Sequence, residues 1–77
     1  KTYEPRIALD GGDDGLRFYR LISSQAKDYI VDGGLLIFEI GFNQGESVKK
    51  ILEKNNYNDV IVLKDLQGHD RVVLGYY

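Results

Sequence analysis

Two spacings of apolar residues divide the chain. Residues 35–40, Leu-Leu-Ile-Phe-Glu-Ile, are apolar at nearly every position and lie between Gly33-Gly34 and Gly41. A short, glycine-bracketed run of this kind predicts a strand covered on both faces inside a mostly parallel sheet. The β-branched run 59–64, Asp-Val-Ile-Val-Leu-Lys, predicts a second strand, and 71–77, Arg-Val-Val-Leu-Gly-Tyr-Tyr, a last one. Elsewhere the period lengthens. Leu16, Tyr19, Ile22, Ala26 and Tyr29 recur at steps of three or four, which places one apolar stripe on a helix from about residue 15 to 30. Val31-Asp32-Gly33-Gly34 ends it, because a glycine takes the left-handed helix-closing conformation at little cost. Val48, Ile51 and Leu52 mark the buried face of a shorter helix, about 44–55, with Asn43 as its candidate cap and Asn55-Asn56 as its close. Glu46 and Lys50 are spaced to pair across one turn of it.

The predicted order is therefore α, β, α, β, β. The first strand, second helix and second strand form a right-handed crossover that leaves the two strands parallel. The turn at 65–70 is too short for anything but an antiparallel return, either outside the second strand or between the two parallel ones. Spacing does not choose between these positions.

Residues 1–15 hold the only proline, Pro5, a short Ile7-Ala8-Leu9 triplet, and the turn-rich stretch Asp10-Gly-Gly-Asp-Asp-Gly15. The acidic cluster lacks the alternating oxygen ligands and closing Glu of a calcium loop, so Asp13 or Asp14 reads better as the cap of the first helix. Gly41-Phe-Asn-Gln-Gly45 has neither the Lys-Ser/Thr of a P-loop nor the dinucleotide spacing, and reads as a plain strand-to-helix turn. Glu39 is the one charge in the central strand. It is either a hydrogen-bonded structural carboxylate, the reading favoured by the cost of burying a charge, or a ligand contact at the carboxyl end of the strand, where open α/β sheets bind ligands.

Composition narrows the classes. A 77-residue chain forms one domain at most, and one of that size buries only roughly 60–65% of its unfolded surface. No cysteine is present, and the single His69 cannot build a tetrahedral metal site unaided. A net charge of −2 argues against direct nucleic-acid binding. No apolar run approaches the roughly 20 residues of a membrane span. There is no leader sequence, and lack of cysteine fits the cytoplasm. The opening Lys-Thr-Tyr-Glu-Pro reads as mid-loop, which suggests a piece of a longer protein.

The series Tyr3-Glu4-Pro5, Ala8-Leu9, Gly11-Gly12-Asp13-Asp14-Gly15-Leu16 and Phe18-Tyr19-Arg20 is distinctive taken together. It continues through Gly33-Gly34, Leu36, Glu39-Ile40-Gly41, Gln44-Gly45-Glu46, Lys64-Asp65-Leu66, Gly68, Asp70-Arg71-Val72 and Leu74-Gly75. The whole resembles the C-terminal part of the peptide-chain-release-factor glutamine methyltransferases, the PrmC/HemK family. The resemblance implies that residues 1–77 are a C-terminal fragment of the catalytic domain of a class I methyltransferase, Rossmann-like and α/β. It also places the last strand antiparallel in the middle of a three-stranded mixed sheet. The implied activity is transfer of a methyl group from S-adenosylmethionine to the side-chain amide of the glutamine in the Gly-Gly-Gln motif of release factors.

The family's glycine-rich cofactor loop and its Asn-Pro-Pro-Tyr motif, which holds the substrate amide, have no counterpart in the chain. The expectation is therefore no catalytic, cofactor-binding or metal-ligating residue, no S-adenosylmethionine bound by the chain alone, and substrate contact at most at Tyr3, Glu4 and Pro5. Removing the neighbouring strand leaves the edge of residues 35–40 bare, and self-association through it is expected. Two other classes stay open: a stand-alone interaction module using a sheet edge or its tyrosines, and a piece of a methyltransferase with another acceptor.

Overall fold

The computed structural model describes residues 2–3, by their backbone, and residues 15–77. The described elements are β1 (Thr2–Tyr3), α1 (Arg17–Gln25) with a 3-10 turn at Ala26–Asp28, β2 (Leu35–Glu39), α2 (Gly45–Lys54), β3 (Asn58–Lys64) and β4 (Asp70–Tyr76). The triplet Ile7–Leu9, the stretch 10–14 and the proposed caps Asp13 and Asp14 lie outside the described residues.

The strands lie in the order β1-β2-β4-β3. β4 is antiparallel to both its neighbours, so the last strand does sit between β2 and β3, and those two run parallel. This is the arrangement implied by the methyltransferase resemblance. One strand is additional: Thr2 and Tyr3 pair parallel with Leu35 and Leu36. The edge of β2 is therefore covered over its first two residues, and among the described residues only the remainder is unpaired on that side.

Alternation along β2 and β4 sorts side chains between two faces. Leu36, Phe38, Val73 and Gly75 face the helices, and the first three are fully buried. Val48 and Leu52 of α2, Ala26 and Ile30 from the first helical segment, and Ile40 and Tyr57 join them in the core. The prediction that β2 is covered on both faces is corrected: Leu35 and Ile37, which alternate to the other side, stay partly exposed, as do Ile61 and Leu63 of β3. Both helices pack on one side because the crossover from β2 to β3 and the segment entering β2 reach the same face.

The first helix is shorter than its spacing predicts. Its α-helical part ends at Gln25 and the 3-10 turn at Asp28, so Tyr29 stands at the close with φ −120° and projects outward, 71% exposed. Ile30 takes the buried place assigned to Tyr29. Ser23, absent from the predicted stripe, is fully buried on this face, and its backbone carbonyl accepts the Tyr57 hydroxyl at 2.9 Å. Burial pushes the Tyr57 hydroxyl up to about 12, helped by the neighbouring Tyr77.

Helix α2 starts with Gln44 at the cap position and no side-chain cap of its own, so Asn43 is not the cap. The carboxylate of Asp70, the first residue of β4, accepts the Gly45 N–H at 2.9 Å instead. A helix end satisfied from another strand leaves no local sequence signal. A side chain at position 45 would collide with Asp70 Oδ2 and meet Val62 Cγ1 at 2.9 Å, which is why glycine is needed there. The predicted Glu46–Lys50 ion pair does not form. The helix does close at Asn55-Asn56, with Asn56 at φ +69°.

The β3–β4 turn is held by one carboxylate. Asp65 accepts the N–H of Gln67 at 2.9 Å, the N–H of His69 at 3.0 Å and Arg71 Nε–H at 2.8 Å. Those bonds, the backbone one from His69 foremost, hold its carboxyl down at about 2. Gly68, at φ +85°, makes the turn possible.

Candidate functional site

In an open α/β sheet, ligands gather where the parallel strands end. Here β1 ends at Tyr3, β2 at Glu39 and β3 at Lys64, and the β2–α2 turn and the β3–β4 hairpin both leave from that end. The carboxyl end of β2 is braced from α1. Tyr19 packs edge-on against Phe38, ring centroids 5.0 Å apart, and its hydroxyl lies 3.2 Å from both the Glu39 carbonyl and Gln44 Oε1. Burial raises the Tyr19 hydroxyl above its ordinary value, which keeps it protonated as a donor. Gln44 Oε1 also accepts the Gly41 N–H at 2.8 Å. One amide oxygen thus gathers the turn and ties it to the first helix.

Glu39 is exposed, and its carboxylate has no protein partner among the described residues. The reading of a hydrogen-bonded structural carboxylate is therefore corrected: the residue alternates to the outer side of the sheet, so no desolvation has to be offset. Its carboxylate is exposed at the strand end. Of the predicted contact residues, Tyr3 is placed by its backbone beside Leu36, at the end of the strand parallel to β2. Glu4 and Pro5 lie outside the described residues.

A side chain at Gly41 would meet Gln44 Oε1 at 3.2 Å, and Gly45 is backed by Asp70 and Val62, so protein atoms stand close behind both glycines of the turn. Among the described residues no His, Asp and Glu side chains converge in a metal-binding group, and no helix is long and apolar enough to cross a membrane. Tyr19 and Gln44 escaped sequence reasoning as site residues, because one reads as helix stripe and the other as turn; their bond spans 25 residues.

No family model matches the chain. Individual proteins do. Over 74 residues it is 49% identical to the release factor glutamine methyltransferase of Fusobacterium nucleatum, which covers 96% of this chain and 21% of that protein. It is 47% identical over 75 residues to the release factor glutamine methyltransferase of Geobacter sulfurreducens, covering 97% of this chain and 26% of the relative. A bifunctional methyltransferase of Rickettsia felis is 49% identical over 73 residues, 14% of its length. Among solved structures, a release-factor-specific protein-(glutamine-N5) methyltransferase from Alicyclobacillus acidocaldarius superposes with a TM-score of 0.68 at 28% identity, over 94% of this chain and 44% of that one. The chain spans about a quarter or less of the length of these curated relatives. In sequence across nearly its whole length, and in its class I methyltransferase fold, this chain matches a segment of the release factor glutamine methyltransferases, the family that its motifs resemble.

Proposed function

We propose that the chain is the C-terminal, scaffold-bearing piece of a methyltransferase that uses S-adenosylmethionine to methylate the side-chain amide of the Gly-Gly-Gln glutamine in peptide chain release factors. The observation that carries this reading is the near-complete alignment, at 47–49% identity, with release factor glutamine methyltransferases. The antiparallel last strand between two parallel ones supports it. Methyl transfer to an amide nitrogen depends on holding the nucleophile in line behind the methyl group, so the protein's task is positioning. The groups that hold donor and amide belong, on this reading, to other parts of the complete enzyme. What this chain contributes is a stiff floor: the Tyr19–Gln44–Gly41 brace fixes the end of β2, and Asp70 fixes the start of α2.

Tyr3, Glu4 and Pro5 are proposed as substrate contacts at the rim. The chain alone transfers no methyl group and binds no S-adenosylmethionine, since the family's glycine-rich cofactor loop and Asn-Pro-Pro-Tyr motif have no counterpart in its sequence. Isolated, it self-associates, through the unpaired part of the β2 edge and the apolar outer face of the sheet. A monomer persisting by light scattering at high concentration would contradict this.

Site-resolved mass spectrometry tests the function. Release factor incubated with the complete enzyme and S-adenosylmethionine gains a methyl group on the Gly-Gly-Gln glutamine. Methylation of a different residue, or none, would overturn the reading.

A further inference from the structure

β3 is the last strand in the sheet order, and among the described residues the side it turns away from β4 pairs with nothing. Its side chains invite a partner there. Val60-Ile61-Val62-Leu63 is an uncharged, largely β-branched run, the composition from which strand-on-strand aggregates form. Asp59 and Lys64 bound the run, and in an antiparallel second copy each would stand near its opposite charge, so the side chains do not forbid pairing.

The backbone does. From Asn58 to Ile61 β3 advances three residues, while the partners on β4, Tyr76 and Leu74, are two apart, so β3 carries one residue too many. That residue is Asp59. Its φ is +51°, in the left-handed region that few non-glycine residues adopt, Asp and Asn among them, and such a residue opens the bulges that bend and twist a strand. Val60, beyond it, lies against Gly75, where a Cβ would meet Val60 Cγ2 at 3.2 Å. A second irregularity follows at the other end, where Leu63 pairs with Val72 and Lys64 with Asp70, passing over Arg71. Unbroken register is left to Ile61, Val62 and Leu63. That is shorter than the roughly 5–6 residues over which strands commonly run.

We infer that the bulge at Asp59 closes the outer edge of β3 to a further strand, and so confines edge-to-edge pairing of this chain to the side of the sheet where β2 lies. The consequence is the kind of assembly. A sheet that pairs at one edge stops at a two-fold pair, whereas one open at both edges adds copies without end. The strain held at Asp59 is thus the counterpart of protection from open-ended association. This inference rests on the geometry of β3 and is independent of the proposed methyltransferase activity.

Deleting Asp59 from the 77-residue chain tests it. The deletion leaves Asn58 opposite Tyr76, Val60 opposite Gly75 and Ile61 opposite Leu74, so the remaining side chains keep their faces. Asp59→Gly serves as the comparison, because it keeps the extra residue and its left-handed turn while removing the carboxylate and the strain. By light scattering and electron microscopy, the deletion should associate from roughly tenfold lower concentration than wild type and form elongated particles. Asp59→Gly should behave as wild type. In the wild-type chain, the β3 amides not bonded to β4 should exchange hydrogen fast at every concentration, whether or not copies associate elsewhere. Protection of those amides as concentration rises would overturn the inference. So would a deletion variant, folded by circular dichroism, that associates no more than wild type, or elongated particles from Asp59→Gly, which would make the carboxylate the guard in place of the bulge. Should the deletion variant not fold, the wild-type exchange decides alone.

Discussion

The two faces of the sheet are built from the same kinds of residue and have different fates. Leu36, Phe38 and Val73 on the inner face are sealed by α1 and α2, whereas Ile61 and Leu63 on the outer face remain 45% and 46% exposed. Leu35, Ile37, Val72 and Leu74 continue that outer face at intermediate burial. A strand that is apolar on both sides indicates two covering layers, and the described residues supply one. The contrast teaches that an apolar pattern records the surroundings a strand is suited to, and that they can extend beyond the residues at hand.

Substitutions on the two faces test this contrast most strongly. Phe38→Ala should cost about 3–5 kcal/mol, a large part of the roughly 5–15 kcal/mol that holds a domain together, and chemical denaturation should show the chain largely unfolded. Ile61→Ala or Leu63→Ala on the outer face should cost less than about 1 kcal/mol and should reduce self-association. Equal losses on both faces would break the comparison.

Close approach distinguishes the inner side further. Gly45→Ala drives a methyl group into the Asp70 carboxylate and Val62, and should destabilise by about 1–3 kcal/mol. Combining it with Asp70→Ala should cost less than the sum of the two changes, because each breaks the same helix start. Tyr19→Phe leaves the ring on Phe38 and removes only the hydroxyl that reaches Glu39 and Gln44. A loss of about 1 kcal/mol is expected.

Acid sharpens the picture at the hairpin. The Asp65 carboxyl is depressed from 3.8 to about 2, so its contribution is complete above 3.8 and is lost as pH falls through 2. Asp70 is depressed in the same direction, chiefly by its bond to Lys64. Asp65→Asn should flatten the fall in stability over that range, followed by denaturant midpoints at successive pH values. The smallest effect is expected at Ser23, whose buried hydroxyl has no partner among the described residues. Ser23→Ala should be neutral or slightly stabilising, since no hydrogen bond is lost and a desolvated polar group is removed.

Much of this architecture was legible in the residues. Leu35–Glu39, the β-branched run before Lys64 and the Val48–Leu52 stripe declare themselves by local period, and the middle position of β4 followed from the family resemblance. What escaped was set by residues distant in sequence. Asp70 caps a helix 25 positions earlier, and the early end of α1 turned Tyr29 out and Ile30 in. Glu39 lost its expected partner because alternation put it on the uncovered side. The Tyr19–Gln44 brace likewise joins a helix to a turn, and neither segment alone shows it.

Calorimetric titration of the isolated chain with S-adenosylmethionine tests most directly whether it is a scaffold that lacks the donor site. The account predicts no heat of binding at concentrations where complete relatives would be saturated. Micromolar affinity for the isolated chain would contradict it.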